Sequence, residues 1–425
     1  MIHRPTRARA VPSTVLALTA AALAAGGLIG GEALAQTAAP YYPGPSGDWE
    51  SRSPEQVGMD AGLLEEAIEF ARANESDSPR DLALSHALSW NREPFDGPVG
   101  PFKTRGPATG VIVRNGYIVA EWGDPWRVDM TFSVTKSFLS STVGLAWDRG
   151  LIRDLDEPVR RYAPFYIPAE PEATDPVRGP AGAPVMLFDS EHNRRISWDH
   201  LLRQTSDWEG RLFGKPDWAD RPSGDPDTWL TRDRNEPGTA WKYNDVRVNL
   251  LALAATYVWR EPLPRVLREQ LMDPIGASRT WQWHGYANSW VVVDGRRVQS
   301  VSGGGHWGGG MWISARDQAR FGLLTLRRGR WADEQILSEE WIEMARTPTA
   351  ANEGYGFMNF FLNTGRERFP AAPESAFAHL GAGTNMVYVD PENDLVVVAR
   401  WIRGGATAEL IERVLAAVRE PATAF

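Results

Sequence analysis

From Phe132 to Ala146 the chain is apolar or small on every face a helix could present, and Lys136 is its only charge. A helix of that kind is buried on all sides. An ammonium inside it must find a partner or give up its proton, because burying an unpaired charge is costly. Ser133 stands three residues earlier, and positions i and i+3 are neighbours on a helix, so the amine reaches the hydroxyl. A lysine neutralised by an apolar, partly positive setting takes the serine proton as the oxygen attacks a carbonyl. The chain has only four lysines, Lys103, Lys136, Lys215 and Lys242. The blander reading, a Ser and a Lys on the wet face of an ordinary helix, conflicts with those apolar flanks.

The N-terminus carries Arg4, Arg7 and Arg9, then an apolar stretch to about Gly30, then Ala33-Leu34-Ala35. That order is the pattern of a secretory signal peptide, here residues 1–35. It predicts an exported protein, periplasmic or secreted, with no stable membrane anchor after cleavage. Loss of three arginines and Glu32 takes the formal charge from −9 to about −11. An acidic surface without basic runs argues against nucleic acid and anionic membranes as partners. The chain contains no cysteine, which excludes a disulfide framework, so the core alone must hold the fold. Neither a His-Glu-x-x-His helix nor a Gly-x-Ser-x-Gly elbow is present, and the seven histidines are scattered. No metal or organic cofactor is expected.

Beyond a Pro/Gly-rich leader at 36–50, expected to be loose, the chain reads as α/β at both ends and helical between them. Leu63, Leu64, Ala67, Ile68 and Ala71 form a helical stripe. Two strand-like runs flank Asn115-Gly116, a strong hairpin signal. Ile196 to Thr205 and Asn249 to Val258 read as helices. Strand character returns from Trp290 to Val301, from Met386 to Asp390 and from Leu395 to Trp401. The stripe Leu410, Ile411, Val414, Leu415 and Val418 closes the chain with a helix. The division expected is a sheet domain from 51–130 and 290–425, with a mainly helical region from 131–289.

Two further stretches bear on chemistry. Pro237-Gly238-Thr239-Ala240-Trp241-Lys242-Tyr243-Asn244-Asp245 places a phenol after a turn and before a helix. Such a phenol beside a nucleophile relays protons. Phe377-Ala378-His379-Leu380-Gly381-Ala382-Gly383 is a glycine-rich strand edge of the kind that lets backbone N–H groups approach a substrate. Each signal is weak alone, and an ordinary turn explains either one.

In this order, Ser-x-x-Lys, the tyrosine turn and the His-x-Gly edge resemble the family of class C β-lactamases, penicillin-binding DD-peptidases and related serine esterases and amidohydrolases, including 6-aminohexanoate-dimer hydrolases. Ser53 to Gly58, Ile196 to Ser206, Gly303 to Asp317 and Asp390 to Val398 extend the resemblance over most of the chain. It implies an α/β (α+β) fold, an antiparallel sheet flanked by the terminal helices with a helical insertion. It implies Ser133 as nucleophile, Lys136 as base and Tyr243 as relay, with the backbone N–H groups of Ser133 and Ala382 as oxyanion hole. Asp245, His379, Gly381, His306 and Trp307 are the candidate substrate-contacting residues. Trp241 and Trp312 are further candidates for an apolar acyl wall, with core packing an equal account of each.

The departures from the family pattern bear on the substrate. Leu380 donates no hydrogen bond, and His379 is a poorer carboxylate clamp than the lysine expected there. Asp245 stands where an amide is expected, and pairing with Lys242 or Arg247 would absorb its charge. These features favour an exported hydrolase of a small ester or amide. The alternatives are a true β-lactamase or DD-peptidase-like enzyme, and a non-catalytic binding protein. The oligomeric state is not readable from the sequence.

Overall fold

A computed structural model describes residues 40–169 and 182–419. The expected signal peptide and the first residues of the leader lie outside the described residues. The central element is a six-stranded antiparallel sheet. Its strands run in the spatial order Phe361–Leu362, Phe377–Gly381, Asn385–Asp390, Leu395–Arg400, Thr109–Arg114 and Tyr117–Trp122. The Asn115-Gly116 hairpin forms with Arg114 opposite Tyr117, and both turn residues have positive φ, 52° and 85°. That backbone is the one Asn-Gly tolerates at low cost.

Both faces of the sheet are covered. Ile112, Met386, Tyr388, Val397 and Ala399 pack on one side against the helices Ala61–Ala73 and Thr407–Ala416, through Leu64, Ile68, Leu410, Ile411 and Val414. Val111, Val113, Val387, Val396 and Val398 point the other way, into a larger core with the helices Ala315–Leu326 and Thr135–Asp148. The period-two alternation of a strand sends neighbouring residues into different cores. That double coverage explains why Leu395 to Ala399 reads as an unbroken apolar run.

A second sheet of four strands, in the order Asp129–Met130, Gly310–Ile313, Gln282–Val293 and Arg296–Val301, stands beside the nucleophile helix. Its long strand begins at Gln282, inside the stretch expected to be helical. The expected helix at Ile196 to Thr205 shrinks to Trp198–Leu202, capped by Ser197. The leader differs from expectation over its described part. Trp49 is buried and its indole donates to the Gly116 carbonyl at 2.8 Å, Tyr41 stacks on Tyr117, and Arg320 holds the carbonyls of Gly44 and Ser46. Aromatic anchors outweigh the chain entropy that its Pro/Gly content suggested. Among the described residues, no helix is long and apolar enough to cross a membrane.

Candidate active site

Ser133 sits in the turn Phe132–Val134 that opens the helix Thr135–Asp148. Phe132 enters it with φ of 47°, a strained conformation for a bulky residue, and its ring packs edge-on against Trp401. Backbone strain of this kind costs on the order of 1–3 kcal/mol and persists only where packing enforces it. The Lys136 ammonium donates to Ser133 Oγ at 2.8 Å. Lys136 is fully buried, whereas Ser133 retains partial exposure.

Tyr243 arrives by a capped helix start. Asn244 is the N-cap of the helix Asp245–Trp259, accepting from the Arg247 N–H at 3.1 Å, while its own N–H donates to Gln204 Oε1 at 2.7 Å. The residue just before that cap is thereby held facing Ser133. The Tyr243 phenol lies beside the serine side chain, and Lys136 Nζ lies 4.5 Å from the centre of its ring. Burial, followed by the Asp245 charge, pushes the phenol well above its ordinary value and outweighs the opposing pull of Arg221. Tyr243 is therefore a neutral phenol at rest rather than a phenolate.

Asp245 does not pair with Lys242 or Arg247. One oxygen lies 2.5 Å from Lys136 Nζ and the other accepts from Arg221 Nη1 at 3.1 Å. Arg247 instead binds Asp207 at 2.5 Å and Asp217 at 3.2 Å. With both oxygens taken and 1% exposure, Asp245 sits beneath the site rather than facing a substrate. Lys136 and Arg221 hold its carboxyl well below the usual carboxylate range despite burial. Burial depresses Lys136 most strongly; Asp245 opposes this, and Arg221 adds to the depression. Because Arg221 supplies Asp245 with a permanent counter-charge, Lys136 can lose its proton without stranding a buried carboxylate.

Two glycines bring backbone against this centre. A Cβ on Gly304 would lie 1.9 Å from Asp245 Oδ1 and 2.2 Å from Lys136 Nζ, so the Gly303–Gly310 loop closes directly over the ion pair. A Cβ on Gly381 would lie 2.3 Å from the Thr131 carbonyl and 3.1 Å from the Ser133 nitrogen. The strand edge Phe377–Gly381 thus runs alongside the nucleophile turn, and Ala382 follows at its exposed end.

The other expected contacts lie deeper. His379 is fully buried among Phe321, Phe360 and Phe377, with Nδ1 2.9 Å from the Ser137 hydroxyl; burial pushes it down to about 3. A neutral imidazole packed there does not clamp an anion. His306 is buried too, donating from Nε2 to Glu93 at 2.8 Å and accepting at Nδ1 from Arg221 at 3.2 Å. Trp307 is completely buried against it, and Trp312 lies tilted against His284 with ring centroids 4.3 Å apart. Trp241 lines an open cavity, beside Tyr243. Glu93, Asp220 and His306 bring ligand atoms within 4.8 Å of one another. The Arg221 guanidinium, 2.5 Å from Asp220, already supplies that cluster with a cation, so these residues do not suit a metal ion.

Arg221, Asp220, Glu93 and Tyr355 had no signal in the sequence. Tyr355 accepts from Gln204 Nε2 at 2.8 Å and from the Asn359 N–H at 2.7 Å, and its ring abuts that of Tyr243. No short motif marks any of them, and their relation to Ser133 is created by folding.

A family model described as Beta-lactamase matches residues 95–412. No curated protein matches the chain significantly. Among solved structures, a candidate 6-aminohexanoate-dimer hydrolase from Bacillus anthracis is 15% identical with a TM-score of 0.54, covering 88% of this chain and 87% of its own. A family VIII carboxylesterase is 16% identical with a TM-score of 0.52, covering 85% of this chain and 99% of its own. EstCE1, a hydrolase with promiscuous acyltransferase activity, is 17% identical with a TM-score of 0.51, covering 84% and 99%. At such identities the likeness is one of fold.

Proposed function

The chain belongs to the β-lactamase family, and from that premise we propose that it is a serine hydrolase cleaving a small ester or amide through an acyl-enzyme on Ser133. The observation that carries this reading is the 2.8 Å contact between the buried Lys136 Nζ and the partly exposed Ser133 Oγ. In its neutral form Lys136 accepts the serine proton as Oγ bonds to the substrate carbonyl carbon. The oxyanion so formed is held by the N–H groups of Ser133 and Ala382. Tyr243 relays the proton to the departing alcohol or amine, leaving an acyl ester on Ser133. Water then attacks that ester and passes its proton through Tyr243 and Lys136 to Ser133 Oγ as the acyl–oxygen bond breaks, so the free acid departs and the serine hydroxyl is restored.

The altered third motif, in which His379 is buried and Leu380 is apolar, favours this reading over a β-lactamase, and ester and amide hydrolases are among the solved structures of the same fold. The Arg-rich, apolar, Ala-x-Ala start of the chain supports export.

A fluorophosphonate probe should label the folded protein and fail to label Ser133→Ala; a folded wild type that resists the probe refutes the proposal. Side-by-side turnover of 4-nitrophenyl acetate and nitrocefin separates the substrate classes. The ester should be the faster substrate, and nitrocefin turnover at a matching rate would move the enzyme among the β-lactamases.

A further inference from the structure

A cavity of about 500 Å³ opens beside Tyr243, between the loop that follows Asp217 and the turn that precedes the Asp245–Trp259 helix. Trp218, Trp229 and Trp241 line it, together with Arg232, Lys242 and Tyr243. Three indoles in one wall suit a flat or apolar body.

The charges in this wall do not cancel. Arg232 binds both oxygens of Asp207, at 2.8 Å and 2.5 Å. Arg247 shares Asp207 and reaches Asp217, and Arg221 is bound to Asp220 and Asp245. Every aspartate of the wall is thus taken by arginine. Lys242 has no ion pair and no side-chain hydrogen bond among the described residues, although it is half-buried. Burial and then the guanidiniums of Arg247 and Arg232 work against its ammonium form and outweigh the favourable charges of Asp220 and Asp217. An ammonium left in such a place lacks an anion.

Position gives this surplus its meaning. Lys242 and Tyr243 are consecutive and both line the cavity, and the Tyr243 phenol lies beside the Ser133 side chain, so the cavity reaches the nucleophile across that phenol, Ser133 itself standing outside its lining. The third motif offers no such charge, since His379 is buried and uncharged and Leu380 is apolar.

We propose that this cavity is the substrate pocket and that Lys242 binds a carboxylate of the substrate while the tryptophans hold its apolar or aromatic body. The substrate class is then an ester or amide that carries an acidic group. The proposal rests on the hydrolase reading for the word substrate, but its binding test does not.

Tryptophan fluorescence is titrated with phenylacetate and with its neutral isostere phenylacetamide, in wild type, Lys242→Met and Lys242→Arg. A charge-assisted contact predicts that wild type binds the anion about tenfold more tightly or better, that the methionine variant loses the preference and that the arginine variant keeps it. Equal binding of the two ligands, absence of binding up to high millimolar concentration, or a preference that survives in Lys242→Met overturns the proposal. Thermal melts of each variant establish that it is folded. Loss of fluorophosphonate labelling would defeat the hydrolase reading without altering these titrations. Where turnover is present, the ratio of kcat/KM for 4-nitrophenyl hemiglutarate over 4-nitrophenyl pentanoate should fall in Lys242→Met by the same factor as the binding preference.

Discussion

Burial depresses Lys136 most, and two neighbours of opposite sign then tune it. Asp245 favours its ammonium form and Arg221 disfavours it. Asp245→Asn should therefore shift the basic group in the kcat/KM profile to lower pH, by about one unit or more. Arg221→Gln should shift the same limb to higher pH and reduce activity at pH 7 by about 10- to 100-fold. Coincident shifts in the same direction would refute this division of roles. His379 provides an independent check on burial. Its ordinary value is 6.5, and burial lowers it to about 3 in the folded chain. The unfolded chain binds that proton first, so the stability contribution is complete above pH 6.5 and drains away as pH falls towards 3. Between pH 6.5 and 5 the loss is about 2 kcal/mol. Urea unfolding of wild type should show that extra loss relative to His379→Gln, whose side chain does not titrate.

Loops, turns and helix starts bring these residues together, and their tolerances differ. The Gly303–Gly310 loop touches the Lys136–Asp245 pair at Gly304, where a methyl group has no space. Gly304→Ala must push the pair apart. Its expected signature is a loss of kcat exceeding about 100-fold with a stability cost of only about 1–3 kcal/mol. Paired kinetics and denaturation curves test it, and unchanged kcat would show that the pair does not matter. The Tyr-Asn-Asp segment works by capping: Asn244 ends the turn and starts the helix, and that geometry aims Tyr243. The Asn-Gly hairpin and the helical stripes were legible from local rules. The five-residue helix at Trp198–Leu202 and the strand beginning at Gln282 were not, because short elements take their conformation from what they pack against.

Across the whole molecule, the helices Ala61–Ala73 and Thr407–Ala416 close one face of the sheet while the helix Thr135–Asp148 lies on the other. The helices Ala61–Ala73 and Thr407–Ala416 pack together on the far side from Ser133. Ile411 is fully buried there. Ile411→Ala should cost about 2–5 kcal/mol by the cavity it leaves, with kcat of the folded protein unchanged. A proportional fall in kcat at full folding would show that the two faces are coupled. The sequence by itself determined the apolar helix with one internal lysine, the alternating strands and the order of the three motifs. Those features follow from periodicity and from the cost of burying charge, which are local. Only the tertiary structure decided that Asp245 neutralises Lys136 rather than meeting a substrate, that Arg221 joins them, that His379 turns inward, and that Lys242 is left without an anion. Each is a question of which charges end up adjacent in a medium of low polarity, and Coulombic and desolvation energies depend on distances that only the folded chain defines.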